Sequence, residues 1–154
     1  MAERIEKVLK IAVLNGPNLN LLGTREPALY GKETLADIER HLRDVAKQLH
    51  ADLEFAQHNG EGEMIDRIHS WRGKIDGVVI NAGAYSHSSL AIRDALSAIS
   101  VPYVEVHLTN IYAREPERRH SMLASAAMAV ICGLGAYGYE AGLRGLIRKL
   151  TPSE

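Results

Sequence analysis

One cysteine in 154 residues, Cys132, leaves no partner for an internal disulfide and no thiolate set to hold zinc. Neither sign of charge is in excess. Eighteen Lys and Arg face 19 Asp and Glu, so no field calls for nucleic acid or an anionic membrane. Long hydrophobic runs are scarce too: "SAAMAVICGLGAYGY" is too short and too broken by glycine to span a bilayer. The opening "MAERIEKVLK" mixes charges where a secretory leader would carry an apolar core. No G-x-x-x-x-G-K is present for a phosphate loop, and the seven His show no metal spacing such as H-E-x-x-H. These absences make a reducing cytoplasm the expected address, with neither membrane nor nucleic acid as a partner and no metal.

What is present suits one globular domain over residues 1–154, with 1–7 as a loosely attached extension. Apolar runs of strand length alternate with segments of helical period. "VLKIAVL" (8–14), "DLEFAQ", "IDGVVINA", "VPYVEVHL" and "MAVICGLG" read as five strands. Between them, Leu35, Ile38, Leu42, Val45 and Leu49 keep the three-and-four spacing of an amphipathic helix. Thr34 and Asp37 form a capping-box pattern at its start. Further helices follow from Met64, Ile65, Ile68 and Trp71, from Ile92, Ala95, Leu96 and Ile99, and from Leu143, Leu146, Ile147 and Leu150. This alternation predicts an α/β fold: a flavodoxin-like, five-stranded parallel sheet, order 2-1-3-4-5, with helices on both faces. Such sheets bind ligands beyond the carboxyl ends of the strands, near the point where the order reverses.

The unusual polar residues fall on that rim. After the first strand comes "NGPNLNLLGTREPALYG", holding Asn18, Arg25 and Tyr30; after the third, "NAGAYSHSS", with Asn81 and His87. The fourth ends in "EVHLTN", with Glu105, His107, Leu108 and Thr109, followed by Arg114 and Arg118. Glu105 and His107, two apart on a strand, share a face, and a carboxylate beside an imidazole sets its tautomer and favours its protonated form. A tyrosine serves as a base near neutrality only with a cation against its oxygen, since its ordinary pKa is about 10; Arg25 is placed for that. "GLGAYG" (133–138) matches G-x-G-x-x-G, but no strand ending in an acidic residue follows, so the glycines are read as close packing. Cys132 is expected in the core, and Trp71 in packing rather than ligand stacking.

In order and spacing, "NGPNLNLLGTREPALYG", "NAGAYSHSS", "EVHLTNIYAREPERRHS" and "ICGLGAYGY" resemble the type II 3-dehydroquinate dehydratases, from about Ile11 to the last helix. The resemblance implies conversion of 3-dehydroquinate to 3-dehydroshikimate by anti elimination of water through an enolate, with no cofactor. It also implies a homo-oligomer, a dodecamer of four trimers. Carried over by position, Tyr30 would be the base, Arg25 would stabilise its anionic form, and Asn18 would hold a water against the enolate oxygen. His107 would protonate the departing hydroxyl, oriented by Glu105. Asn81, His87 and Arg118 would grip substrate hydroxyls, and the amides of Leu108 and Thr109 its carboxylate. Asp94 would reach a neighbouring subunit's site, and Arg114 would support a lid. The pattern departs at His58, Glu117 and Ala129, away from these positions. A flavodoxin-like module that binds a small ligand or nucleotide without chemistry is the alternative reading; it leaves the Tyr30 and His107 arrangement unexplained.

Overall fold

The computed structural model describes residues 7–24 and 26–152, so Arg25 and all but the last residue of the expected N-terminal extension lie outside the described residues. Five strands, Leu9–Asn15 (β1), Ala51–Gln57 (β2), Gly77–Asn81 (β3), Tyr103–His107 (β4) and Ala129–Cys132 (β5), form one sheet. They pair in parallel in the order β2-β1-β3-β4-β5, as the alternation of elements predicts. The helices are Pro27–Tyr30 (α1), Leu35–Gln48 (α2), Glu61–Ser70 (α3), Leu90–Ile99 (α4) and Tyr137–Leu150 (α5).

Alternate residues of a strand leave on opposite faces, and both faces here are covered. Ile11, Val13, Val79, Val104 and Val106 meet Ile38, Leu42 and Val45 of α2 and Leu143 and Leu146 of α5. On the other side Ala12, Leu14, Val78 and Ile80 meet Met64 and Ile68 of α3, Trp71 just beyond it, and Ile92, Leu96 and Ile99 of α4. Trp71 is therefore a packing residue, its indole N–H donating to Glu54. Thr34 opens α2 with a reciprocal cap: its Oγ1 accepts from the Asp37 amide at 3.1 Å, and Asp37 Oδ2 accepts from the Thr34 amide at 3.0 Å.

One expectation fails. Cys132 is half-buried rather than a core residue, because β5 is an edge strand with a neighbour on one side only. Its neighbour Val130 is 38% exposed. Burial first, and then the Glu105 carboxylate, push the Cys132 thiol above its ordinary pKa. Of the three glycines in 133–138, Gly138, in the first turn of α5, serves close packing of helix on sheet: a Cβ there would lie 3.2 Å from Val106 Cγ1. A Cβ on Gly135 would meet nothing within 4 Å, and Gly133 and Gly135 instead take the left-handed backbone conformation, φ 90° and 60°.

At the carboxyl rim β1 and β3 end side by side. The Gly16 amide donates to the Asn81 carbonyl at 2.8 Å, and a Cβ at Gly16 would lie 2.3 Å from the Ala82 carbonyl oxygen. Only glycine lets the two chains run this close before they part around a crevice. No helix among the described residues is long and apolar enough to cross a membrane.

Candidate active site

The loop leaving β1 is fixed at its root and exposed at its tip. Leu19 and Leu22 are buried, and the Asn18 amide donates to Asn59 Oδ1 at 3.1 Å. Gln57 Nε2 joins the same clamp, donating to the Gly16 carbonyl and to Asn59 Oδ1, both at 3.0 Å. Asn18 itself takes the left-handed backbone conformation, φ 69°, which Asn adopts at lower cost than most residues. Beyond it, α1 carries Tyr30 back toward the sheet. Its ring lies under the Arg114 guanidinium, whose carbon is 5.5 Å from the ring centroid, and its hydroxyl accepts from Arg114 Nη1 at 3.0 Å. Arg114 thus holds the phenol itself.

The ends of β3 and β4 supply the opposite wall. His107 is 5% exposed and Glu105 fully buried. His107 Nε2 donates to Glu105 Oε2, which fixes both the ring's orientation and the tautomer it presents. The other carboxylate oxygen accepts from Ser121 Oγ at 2.8 Å. His87 lies almost parallel to His107, ring centroids 6.0 Å apart and planes at 19°. Its Nδ1 donates to the His120 carbonyl at 2.6 Å, while His120 Nε2 donates back to the His87 carbonyl at 2.8 Å. Burial lowers the His87 pKa, and the nearby charges of His107, Arg118 and His120 push the same way. A neutral His87 with its proton on Nδ1 presents Nε2 as an acceptor.

These groups converge. Asn18, Tyr30, Asn81, His87, His107, Leu108, Thr109, Arg114 and Arg118 line a single cavity of about 100 Å³ at the crevice. Arg118 is also braced by Glu115. Glu105 stands behind His107. Asp94 is absent from the cavity of its own chain and lies on the exposed side of α4. Arg25 lies outside the described residues. Among the described residues no group of three His, Cys, Asp or Glu is placed to hold a metal ion.

Several supporting residues have no readable signal in the sequence. Ser121 and His120 are distant from the side chains they hold, and nothing in their neighbourhood predicts the pairing. The same is true of Tyr139, fully buried at the start of α5, whose hydroxyl bridges Asn15 and Asn81. Burial raises the Tyr139 pKa well above the ordinary tyrosine value, so it remains a neutral hydroxyl.

The chain is similar to known proteins over most of its length. The sequence profile of a family described as "Dehydroquinase class II" matches residues 9–147. A protein of Gemmatimonas aurantiaca named 3-dehydroquinate dehydratase is 68% identical over 140 residues, 91% of this chain and 92% of that one. A Verticillium alfalfae protein named catabolic 3-dehydroquinase is 54% identical over 134 residues, 87% and 89% of the two chains. Among solved structures, a type II dehydroquinase from Propionibacterium acnes superposes with a TM-score of 0.87 at 41% identity, covering 92% of this chain and 99% of that one.

Proposed function

Because the chain belongs to the class II dehydroquinase family, we propose that it dehydrates 3-dehydroquinate in the crevice between β1 and β3, with Tyr30 as base and His107 as acid. The reaction is a lyase step of the shikimate pathway. A binding module without chemistry is not favoured by that membership. One observation carries the assignment of roles: Tyr30, its hydroxyl held by a guanidinium, and His107, backed by the buried Glu105, open onto the same cavity.

The chemistry then runs as follows. The Tyr30 oxygen, as phenolate, takes the proton on the carbon beside the ketone, and the C–H electrons move into an enolate. Arg114 sets positive charge 3.0 Å from the oxygen that must carry the negative charge. Arg25 is the second cation of this reading. Asn18 holds a water against the enolate oxygen. The enolate electrons next expel the hydroxyl on the following carbon, and His107 delivers a proton to it so that it leaves as water. With Nε2 committed to Glu105, the proton comes from Nδ1 of the doubly protonated ring. His87 Nε2 accepts from a substrate hydroxyl, Asn81 and Arg118 hold others, and the amides of Leu108 and Thr109 receive the carboxylate. Closure of the loop carrying Tyr30 would exclude water while the enolate exists.

The cofactor-free course, a cytoplasmic home and a twelve-chain assembly belong to the same reading. They are supported by the resemblance and, for the compartment, by the single cysteine. Incubation with 3-dehydroquinate is expected to produce the ultraviolet absorbance of a conjugated enone. Tyr30→Phe should keep substrate affinity while turnover falls by about 10²–10⁴-fold. Near-normal turnover in that variant would remove Tyr30 from the role of base.

A further inference from the structure

Under the cavity floor a chain of hydrogen bonds crosses the end of the sheet, and its direction is fixed from both sides. Asn15 and Asn81 are register partners on β1 and β3, so their side chains leave on the same face, toward the first turn of α5. All three members of the chain are buried: Asn15 and Tyr139 completely, Asn81 at 4% exposure. The Ala56 carbonyl can only accept, so Asn15 must present Nδ2 to it, at 3.2 Å, and turn Oδ1 toward Tyr139. The Tyr139 hydroxyl must then donate to Asn15 Oδ1, at 2.6 Å. Its lone pair is left for Asn81 Nδ2, at 3.1 Å. At the far end the Gly83 amide can only donate, and it meets Asn81 Oδ1 at 3.1 Å. Neither amide can flip without losing bonds on both sides.

We propose that Tyr139, braced by Asn15, is a positioning residue for the dehydration: it locks the Asn81 amide so that one N–H is consumed internally and the second is kept for a substrate hydroxyl oxygen in the cavity. The inference rests on Asn81 being a substrate contact, as read above. An amide that cannot rotate binds without first being ordered, and it cannot offer its carbonyl in place of its N–H. Asn81 is thereby a donor by construction, while His87 across the cavity is an acceptor, so the two discriminate between hydroxyl orientations. The proton order runs from the Gly83 backbone to the Ala56 backbone through three side chains far apart in sequence.

The test is a double-mutant cycle on kcat and KM for 3-dehydroquinate with the wild-type chain, Tyr139→Phe, Asn81→Ala and the double variant, each first shown to be folded by its thermal transition. Tyr139→Phe is expected to lower kcat/KM about tenfold, mostly through KM. In the Asn81→Ala background the same change should cost less than about twofold, because there is no amide left to position. An equal loss in both backgrounds would mean that Tyr139 acts through general stability and would overturn the proposal. If Asn81→Ala alone leaves kcat/KM at the wild-type value, the substrate contact is misassigned and the inference falls with it. An impaired Asn81→Ala beside a wild-type-like Tyr139→Phe would remove the positioning role alone. Should Tyr139→Phe fail to fold, Asn15→Ser, which cannot span to the hydroxyl, is carried through the same cycle and judged by the same criteria.

Discussion

The His120 carbonyl lies 2.6 Å from Nδ1 of His87 and can only accept, so the imidazole proton is placed by the backbone rather than by the substrate. Burial, reinforced by the charges of His107, Arg118 and His120, outweighs the preference of that carbonyl for the protonated ring and holds the folded pKa below the ordinary value of about 6.5. The folded ring therefore binds its proton less readily than the unfolded one. The stability this group contributes is fully present above about pH 6.5 and is lost as pH falls through the lowered folded value. Urea unfolding at about pH 7.5 and about pH 5.5, at fixed protein concentration, should show a larger acid-side loss in the wild-type chain than in His87→Gln. Equal losses would mean that His87 titrates in the folded state as it does in the unfolded chain. Arg114 is likewise paired across the fold, with the Tyr30 hydroxyl at 3.0 Å. It was legible as a rim residue but not as the partner of Tyr30, because 84 residues separate them and nothing in the intervening sequence codes for the contact.

Among the elements, α4 is the one whose placement says most. Ile92, Ala95, Leu96 and Ile99 bury its inner side, which leaves Asp94 exposed and away from the cavity of its own chain. If Asp94 completes a neighbour's site, Asp94→Ala should raise KM about tenfold, as loss of a buried hydrogen bond does. Light scattering should then give the mass of an assembly for the wild-type chain. A monomeric mass, or an unchanged KM, would contradict the shared site. The helices were legible because their apolar residues keep a period of 3.6 and because Thr34 and Asp37 announce a cap, and the inner strands because strands covered on both faces read as nearly continuous apolar runs. The fifth strand was legible as a strand but not as an edge. An apolar run of four residues reads alike whether one neighbour or two flank it, which is why Cys132 was expected in the core. Ser121, His120 and the Asn15–Tyr139–Asn81 bridge were hidden for a different reason. Each is a contact between distant segments that only the assembled sheet brings together.

At the scale of the whole molecule, strand order concentrates the chemistry. Parallel strands send every β-to-α loop to one rim, and the reversal between β1 and β3 opens that rim into a crevice. A phenol from the first loop and an imidazole from β4 can thus face one substrate though 77 residues apart, 107 less 30. Division of labour between them is what most needs measurement, and following the substrate proton beside the ketone in deuterium oxide resolves it. On the proposed roles, His107→Ala, which keeps the Tyr30 phenol and lacks the imidazole, is expected to return 3-dehydroquinate carrying deuterium at that carbon while product formation collapses. Tyr30→Phe is expected to return it without deuterium and without product. Deuterium uptake at the wild-type rate in Tyr30→Phe would show that another group removes the proton, and the arrangement described for this cavity would be wrong.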